Sequence, residues 1–221
     1  MYQIMIGLLV ITFFAVLMYR SIAASDEELG DIPRKISDRM GSLWDIAHQG
    51  MRENRFLRAE KALLTILKID HKNAAAYNRL GILYAKQKEY KDAIDCFEIA
   101  SSIEPTASSL HNLGLIYYET ENYPKAATAF EQALKIEEEL AARHIAYAKV
   151  QEKLGNSKLM FQELERAVEL EPNNESYSLL MKAYEAEGRQ AEADLIADKL
   201  KKMITPAGKP KRVARPKRVV I

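Results

Sequence analysis

The sequence predicts an all-α protein: an array of about four to five helix pairs behind a single apolar N-terminal helix. Three observations carry this. Leu80-Gly81, Tyr84, Ala93, Phe97 and Ala100 recur 33 residues later as Leu113-Gly114, Tyr117, Ala126, Phe130 and Ala133, and self-similarity at such a period marks a repeat architecture. Only 9 glycines and 7 prolines occur in 221 residues, too few for a loop-rich or all-β chain. Residues 2–19 contain no charged side chain.

That apolar run, YQIMIGLLVITFFAVLMY, spans about 27 Å as a helix, close to the roughly 30 Å hydrocarbon core of a bilayer. Tyr2 and Tyr19 stand at its ends, where aromatic belts sit. One transmembrane helix is expected. A cleaved signal peptide would need a basic segment before the run, and none precedes it. Ser21-Ile22-Ala23 resembles a small-residue cleavage site, but Arg20 falls inside the region that would be cut. Arg20, Arg34, Lys35 and Arg39 follow the run, so the positive-inside rule places the body in the cytoplasm and the N-terminus outside. A reduced cytosol also suits the lone Cys96. Residues 21–39 are expected to form a linker, within which Pro33 can open a helix at its first turn.

The repeats follow at 40–73, 74–106, 107–140 and 141–173, with a capping pair at 174–203. Counting Ala74 as position 1, Tyr77, Leu80, Gly81 and Tyr84 take positions 4, 7, 8 and 11. These fall on one face of a first helix at 3.6-residue periodicity. Ala93, Phe97 and Ala100 form the matching stripe of a second helix, and Pro105 ends it. In the next repeat Leu110 joins the recurring set at position 4, and Glu138 replaces the proline, which predicts a more helical connection onward. His144, Tyr147, Ala148, Met160, Leu164, Ala167 and Pro172 fill the same offsets in the fourth. Tyr177, Leu180, Tyr184 and Ala193 do so in the capping pair. The first repeat is degenerate: with Met40 at position 1, Leu43, Ala47, Ala59 and Leu63 fit, but Trp44 competes with Leu43 if the turn near Asn54 is one residue shorter. Small residues at 8, 20 and 27 let backbones approach, and no single pair buries enough to stand alone.

This pattern resembles the tetratricopeptide repeat (TPR) family over about 40–203. The resemblance implies a right-handed superhelix whose first helices line a concave groove at positions 2, 5, 6, 9, 12 and 13. Carried over, these are Asn78, Arg79, Ile82 and Lys86 in the second repeat. The third gives His111, Asn112, Leu115 and Tyr118, and the fourth Ala142, Ile145 and Lys149. Asn112 is similar to groove asparagines that bond a peptide backbone in this family. The carboxylate clamp of chaperone-binding members needs Lys at 5 and Asn at 9; Asn78 and Ile82, or His111 and Leu115, do not supply it. The implied partner is a protein segment, peptide or helix, and the implied role a membrane-anchored scaffold or adaptor. The anchor-plus-repeats plan looks like bacterial anchored TPR proteins.

A net charge of +1 conceals an asymmetry. The body between residues 21 and 204 carries an excess of six acids, whereas 205–221 holds Lys209, Lys211, Arg212, Arg215, Lys217 and Arg218 and no acid. With three prolines and no periodicity, 204–221 is expected to be a disordered basic tail. It could bind anionic lipid beside the anchor, bind nucleic acid through phosphates, fold back on the acidic repeats, or merely solubilise. It has no aromatic residue for stacking on bases. An exported cell-envelope protein with the same repeats is the alternative to the cytoplasmic arrangement.

Nothing points to an enzyme, a cofactor or a metal. His48 and His71 fall in the first repeat, His111 in the third and His144 in the fourth, without ligand spacing. Position 4 marks His144 as an interhelical packing residue. Cys96 lies in an apolar stripe as a small hydrophobe. Glu137-Glu138-Glu139 is expected to end a helix as a solvated face.

Overall fold

The computed structural model describes residues 17–18 and 35–204. The transmembrane expectation for 2–19 therefore lies outside the described residues apart from Leu17 and Met18, which are helical and exposed. Among the described residues no helix is long and apolar enough to cross a membrane. Residues 205–221 also lie outside.

Ten helices cover the described body, and no strand occurs there. They are α1 (35–52), α2 (Phe56–Ile69), α3 (Ala74–Gln87), α4 (Tyr90–Ile103), α5 (Ala107–Glu119), α6 (Tyr123–Ile136), α7 (Ala141–Lys153), α8 (Ser157–Leu170), α9 (Asn174–Ala186) and α10 (Gln190–Ile204). Two boundaries differ from the sequence expectation. Residues 35–39, assigned to the linker, are the start of α1, and residue 204, assigned to the tail, ends α10.

The chain divides into two compact units, Met1–Glu89 and Tyr90–Ile221. The division falls within the second repeat, so α3 belongs to the first unit and α4 to the second. In the first unit Ala47, Ala59, Ala62, Leu63, Ile66, Ala76, Leu80 and Leu83 are buried. Gly50 packs so closely that an added Cβ would lie 3.0 Å from Ala59. In the second unit Gly114 plays this part against Phe130. Its last core cluster joins Met160, Phe161 and Leu164 to Leu180, Tyr184, Ala193 and Ile196. There Phe161 and Tyr184 stack at 4.7 Å, and the Arg189 guanidinium lies over both rings.

Each turn inside a pair is built the same way. Asn54, Lys88, Glu121, Gly155 and Gly188 all have positive φ. The next residue's N–H bonds back to the carbonyl of Gly50, Tyr84, Tyr117, Gln151 or Tyr184 at 2.8 to 2.9 Å. This left-handed closure satisfies carbonyls that the helix end leaves open. Only two of the five are glycines, so the other three tolerate a conformation that disfavours a side chain by roughly 1 kcal/mol. The recurrence decides the first repeat: Gly50 occupies position 11, so Leu43 is at position 4 and Trp44 at position 5. Trp44 instead lies beside His48, 5.7 Å between rings.

Side chains start most of the first helices. Asn73 accepts from the Ala76 N–H at 2.9 Å, and Thr106–Ser109 and Asn173–Ser176 form reciprocal capping boxes. Tyrosines at position 11 tie three first helices to the preceding second helix. Tyr84 donates to Glu60 at 2.9 Å, Tyr117 to Glu98, and Tyr184 to Glu165 at 2.6 Å.

The connection before α7 corrects an expectation. Residues 137–140 are not helical. Leu140 offers no capping side chain, and Arg143 stands where Ala76, Ser109 and Ser176 stand in the other repeats. Arg143, 1% exposed, donates to the Glu137 carbonyl and, at 3.0 Å, to its carboxylate. His144 contacts the Glu138 carbonyl at 2.7 Å. With those carbonyls held by side chains, α6 stops at Ile136. As expected for this run, Glu137-Glu138-Glu139 is exposed and closes α6, with Glu137 as its C-cap; it then bridges to α7.

Candidate functional site

In the second unit a cavity of about 340 Å³ opens between the first helices α5 and α7 and the start of α9. Helical spacing brings His111, Leu115 and Tyr118 to one face of α5, and Ala142, Ile145 and Lys149 to one face of α7. Six of the seven residues the resemblance assigns to this part of the chain thus line one cavity. Asn112 does not; it is half-buried on α5 and engaged with another group. Phe130 closes the floor, meeting His111 edge-on at 5.4 Å between ring centroids.

The sequence reasoning missed the far wall. Asn173, Glu175 and Ser176 at the start of α9, with Glu171 before it, complete the lining, and Glu119 adds to the α5 side. Glu119, Glu171 and Glu175 are exposed, and none is ion-paired among the described residues. Lys149 is the one lysine or arginine in the lining. The signal was available: the capping asparagine that opens α9 is flanked by acids.

His111 and His144 have opposite electrostatics. Burial, helped by the nearby Arg143 charge, lowers the His111 pKa, which favours the neutral ring. Its Nδ1 and the Arg143 Nε are buried without a hydrogen-bond partner among the described residues. Burial would lower His144 as well. The Glu163 hydrogen bond, the Glu138 carbonyl and the Glu163 charge outweigh it and raise the pKa. Both His144 partners are acceptors, Glu163 at 2.6 Å and the Glu138 carbonyl at 2.7 Å. The ring satisfies both only as the imidazolium. It acts as an interhelical clamp outside the cavity.

In the first unit Arg79, Ile82 and Lys86 of α3 share a shallower depression of about 370 Å³ with His48, Met51 and Arg52 of α1. It contains no acid, and Arg52, Arg79 and Lys86 make no ion pair among the described residues. Asn78 lies outside this lining and is engaged elsewhere. The tail residues Lys209, Lys211, Arg212, Arg215, Lys217 and Arg218 lie outside the described residues.

Burial pushes the Cys96 thiol up to about 11, with Asp92 and Asp95 adding to it, so it stays protonated and unreactive. Among the described residues no three His, Cys, Asp or Glu side chains converge to hold a metal ion.

Paired helices, a small-residue seam and first-helix cavities define a helical repeat protein. Models of the tetratricopeptide repeat match residues 74–106 and 105–171, so the chain carries TPRs through this region. Solved structures share the fold. A MamA protein is 20% identical, covers 79% of this chain and 100% of its own, and superposes with a TM-score of 0.68. MamA 41-end from Desulfovibrio magneticus RS-1 is 14% identical over 76% of this chain and 98% of its own, TM-score 0.69. YrrB, described as a TPR protein with an unusual peptide-binding site, is 19% identical over 72% and 82%, TM-score 0.62. At these identities the likeness shows the fold alone. No curated protein matches the sequence.

Proposed function

We propose that this chain is a membrane-anchored adaptor whose first-helix faces receive an extended or helical segment of a partner protein. The observation that supports this best is the cavity between α5 and α7. Leu115, Tyr118 and Ile145 supply apolar contact there, beside Glu119, Glu171 and Glu175, which have no ion-pair partner among the described residues. A pocket whose lining mixes apolar side chains with polar ones in about equal share suits recognition by side-chain anchors together with polar contacts. YrrB's description as a peptide-binding TPR protein points the same way. Anchoring through 2–19 with the repeats cytoplasmic rests on the uncharged run and the basic residues after it; a prokaryotic host rests only on the analogy of this anchor-plus-repeats plan to bacterial anchored TPR proteins.

A photoreactive residue at Tyr118, compared with one at the exposed Gln132 of α6, tests the groove. Capture of a defined protein segment at 118 and not at 132 is expected; equal capture at both sites refutes the reading. Protease added to spheroplasts tests the topology: the repeats should resist digestion, and their cleavage from outside would favour the exported alternative.

A further inference from the structure

We infer that the chain's own basic segment, residues 205–221, seats in the acid-rimmed cavity of the second unit and competes there with a partner segment. The competition rests on the proposed groove reading; the seating does not. Three observations converge on this occupant. The first is charge. Glu119, Glu171 and Glu175 stand at the rim without ion-pair partners among the described residues, against the single cation Lys149. The segment brings six cations and no acid.

The second is where the chain leaves the fold. α9 and α10 are joined by residues 187–189. Leu180 and Tyr184 of α9 share a core cluster with Ala193 and Ile196 of α10. A connection this short folds α10 back antiparallel to α9, so Ile204 lies beside the first turn of α9. That turn carries Glu175 and Ser176, one wall of the cavity. Packed helix axes are about 8–10 Å apart, and five extended residues reach about 16 Å. Lys209 is the fifth residue after Ile204, so the segment is long enough to bring its first cation to the rim.

The third is the fit between cations. Val213 and Ala214 separate Arg212 from Arg215, an apolar step suited to Leu115 and Ile145 on the cavity wall. The depression in the first unit is basic and would repel the same segment.

The test uses the full chain with a photoreactive residue replacing Val213, cross-linked at low concentration. Mixing isotopically labelled and unlabelled chains separates links within a chain from links between chains. The expected products are intrachain links to α5 or α7 within 111–119 or 142–149. They should be lost at high salt, because exposed charges are screened, and lost in Glu171→Lys/Glu175→Lys, whose helix content by circular dichroism should match the parent. Links scattered over the surface, links only between chains, or links that survive charge reversal overturn the inference. Capture from Tyr118 reads the partner separately. Tail links with no captured partner sink the proposed function and leave the seating; a captured partner without tail links does the reverse.

Discussion

Gly114→Ala isolates the seam that holds α5 against α6. A Cβ on Gly114 would lie 2.9 Å from Phe130 Cε2 and Cζ and 3.0 Å from Cδ2. Carbon pairs settle at about 3.5–4.0 Å, so the ring must retreat by roughly 0.5–1 Å. Phe130 is 0% exposed and cannot swing into solvent. Overpacking of this kind costs about 1–3 kcal/mol. Replacing a mid-helix glycine by alanine returns up to about 1 kcal/mol. Gly41→Ala supplies the reference, since nothing lies within 4 Å of a Cβ there. It should stabilise by about 0.5–1 kcal/mol. The difference between the two substitutions in urea unfolding gives the steric cost, expected at about 1–3 kcal/mol. Phe130→Leu should relieve part of it, a coupling that a double-mutant cycle measures. Equal effects of Gly114→Ala and Gly41→Ala, or no coupling to residue 130, would refute the close-approach account.

His111 and His144 should titrate on opposite sides of 6.5 in an NMR pH series, His111 below and His144 above. The stability His144 contributes is full below 6.5 and fades as pH rises through its raised folded value. That from His111 is present above 6.5 and fades as pH falls through its lowered one; coincident titration at 6.5 would contradict both environments. Burial, the Glu165 hydrogen bond and the nearby carboxylates push the Tyr184 phenol up to about 12 from 10, so its contribution is intact below pH 10 and lost between pH 10 and about 12. Tyr184→Phe should flatten that alkaline limb and cost about 1 kcal/mol near neutrality, measured by urea unfolding across pH. Arg143→Met should cost about 1–3 kcal/mol by removing charge-assisted bonds to Glu137. Faster amide exchange confined to 137–143 and its neighbours should accompany it; uniform protection would contradict the bridging role.

The packing frame was legible because it obeys two periods at once. Leu80, Leu113 and Leu180, and Ala93, Phe97, Ala126 and Phe130, are buried where the spacing puts them. A position that must accept a neighbouring helix admits few residue types, so it repeats. The turn residue repeats in conformation without repeating in identity: Asn54, Lys88, Glu121, Gly155 and Gly188 adopt one geometry with four residue types. Two glycines 33 residues apart were the only sequence trace of it. The connection at 137–140 was not legible, because its course is set by where the Arg143 and His144 side chains reach. The groove faces were legible as faces of helices. Their far wall was not, since Glu171 and Glu175 belong to a junction between repeats, which periodicity within a helix does not describe.

The charges of the two depressions then decide what each can refuse. Arg52, Arg79 and Lys86 line a depression with Met51 and Ile82 in the first unit, whereas Glu119, Glu171 and Glu175 line a cavity with Leu115 and Ile145 in the second. Exposed ion pairs contribute little attraction, about 0–1 kcal/mol each. For a ligand with one or two charges, affinity at either surface therefore comes mainly from apolar contact, whereas a segment with several cations sums these small terms and stays salt-sensitive. A like-charged ligand, by contrast, brings its charge against several groups of the same sign at once, and discrimination of this kind works by repulsion. Among the described residues these side chains have no ion-pair partner, and the refusal works only while that holds: a carboxylate neutralised by a neighbour, or by a seated basic segment, rejects nothing. The packing residues fix where the floors lie, and the residues between them, free to vary, set which sign of ligand can reach them.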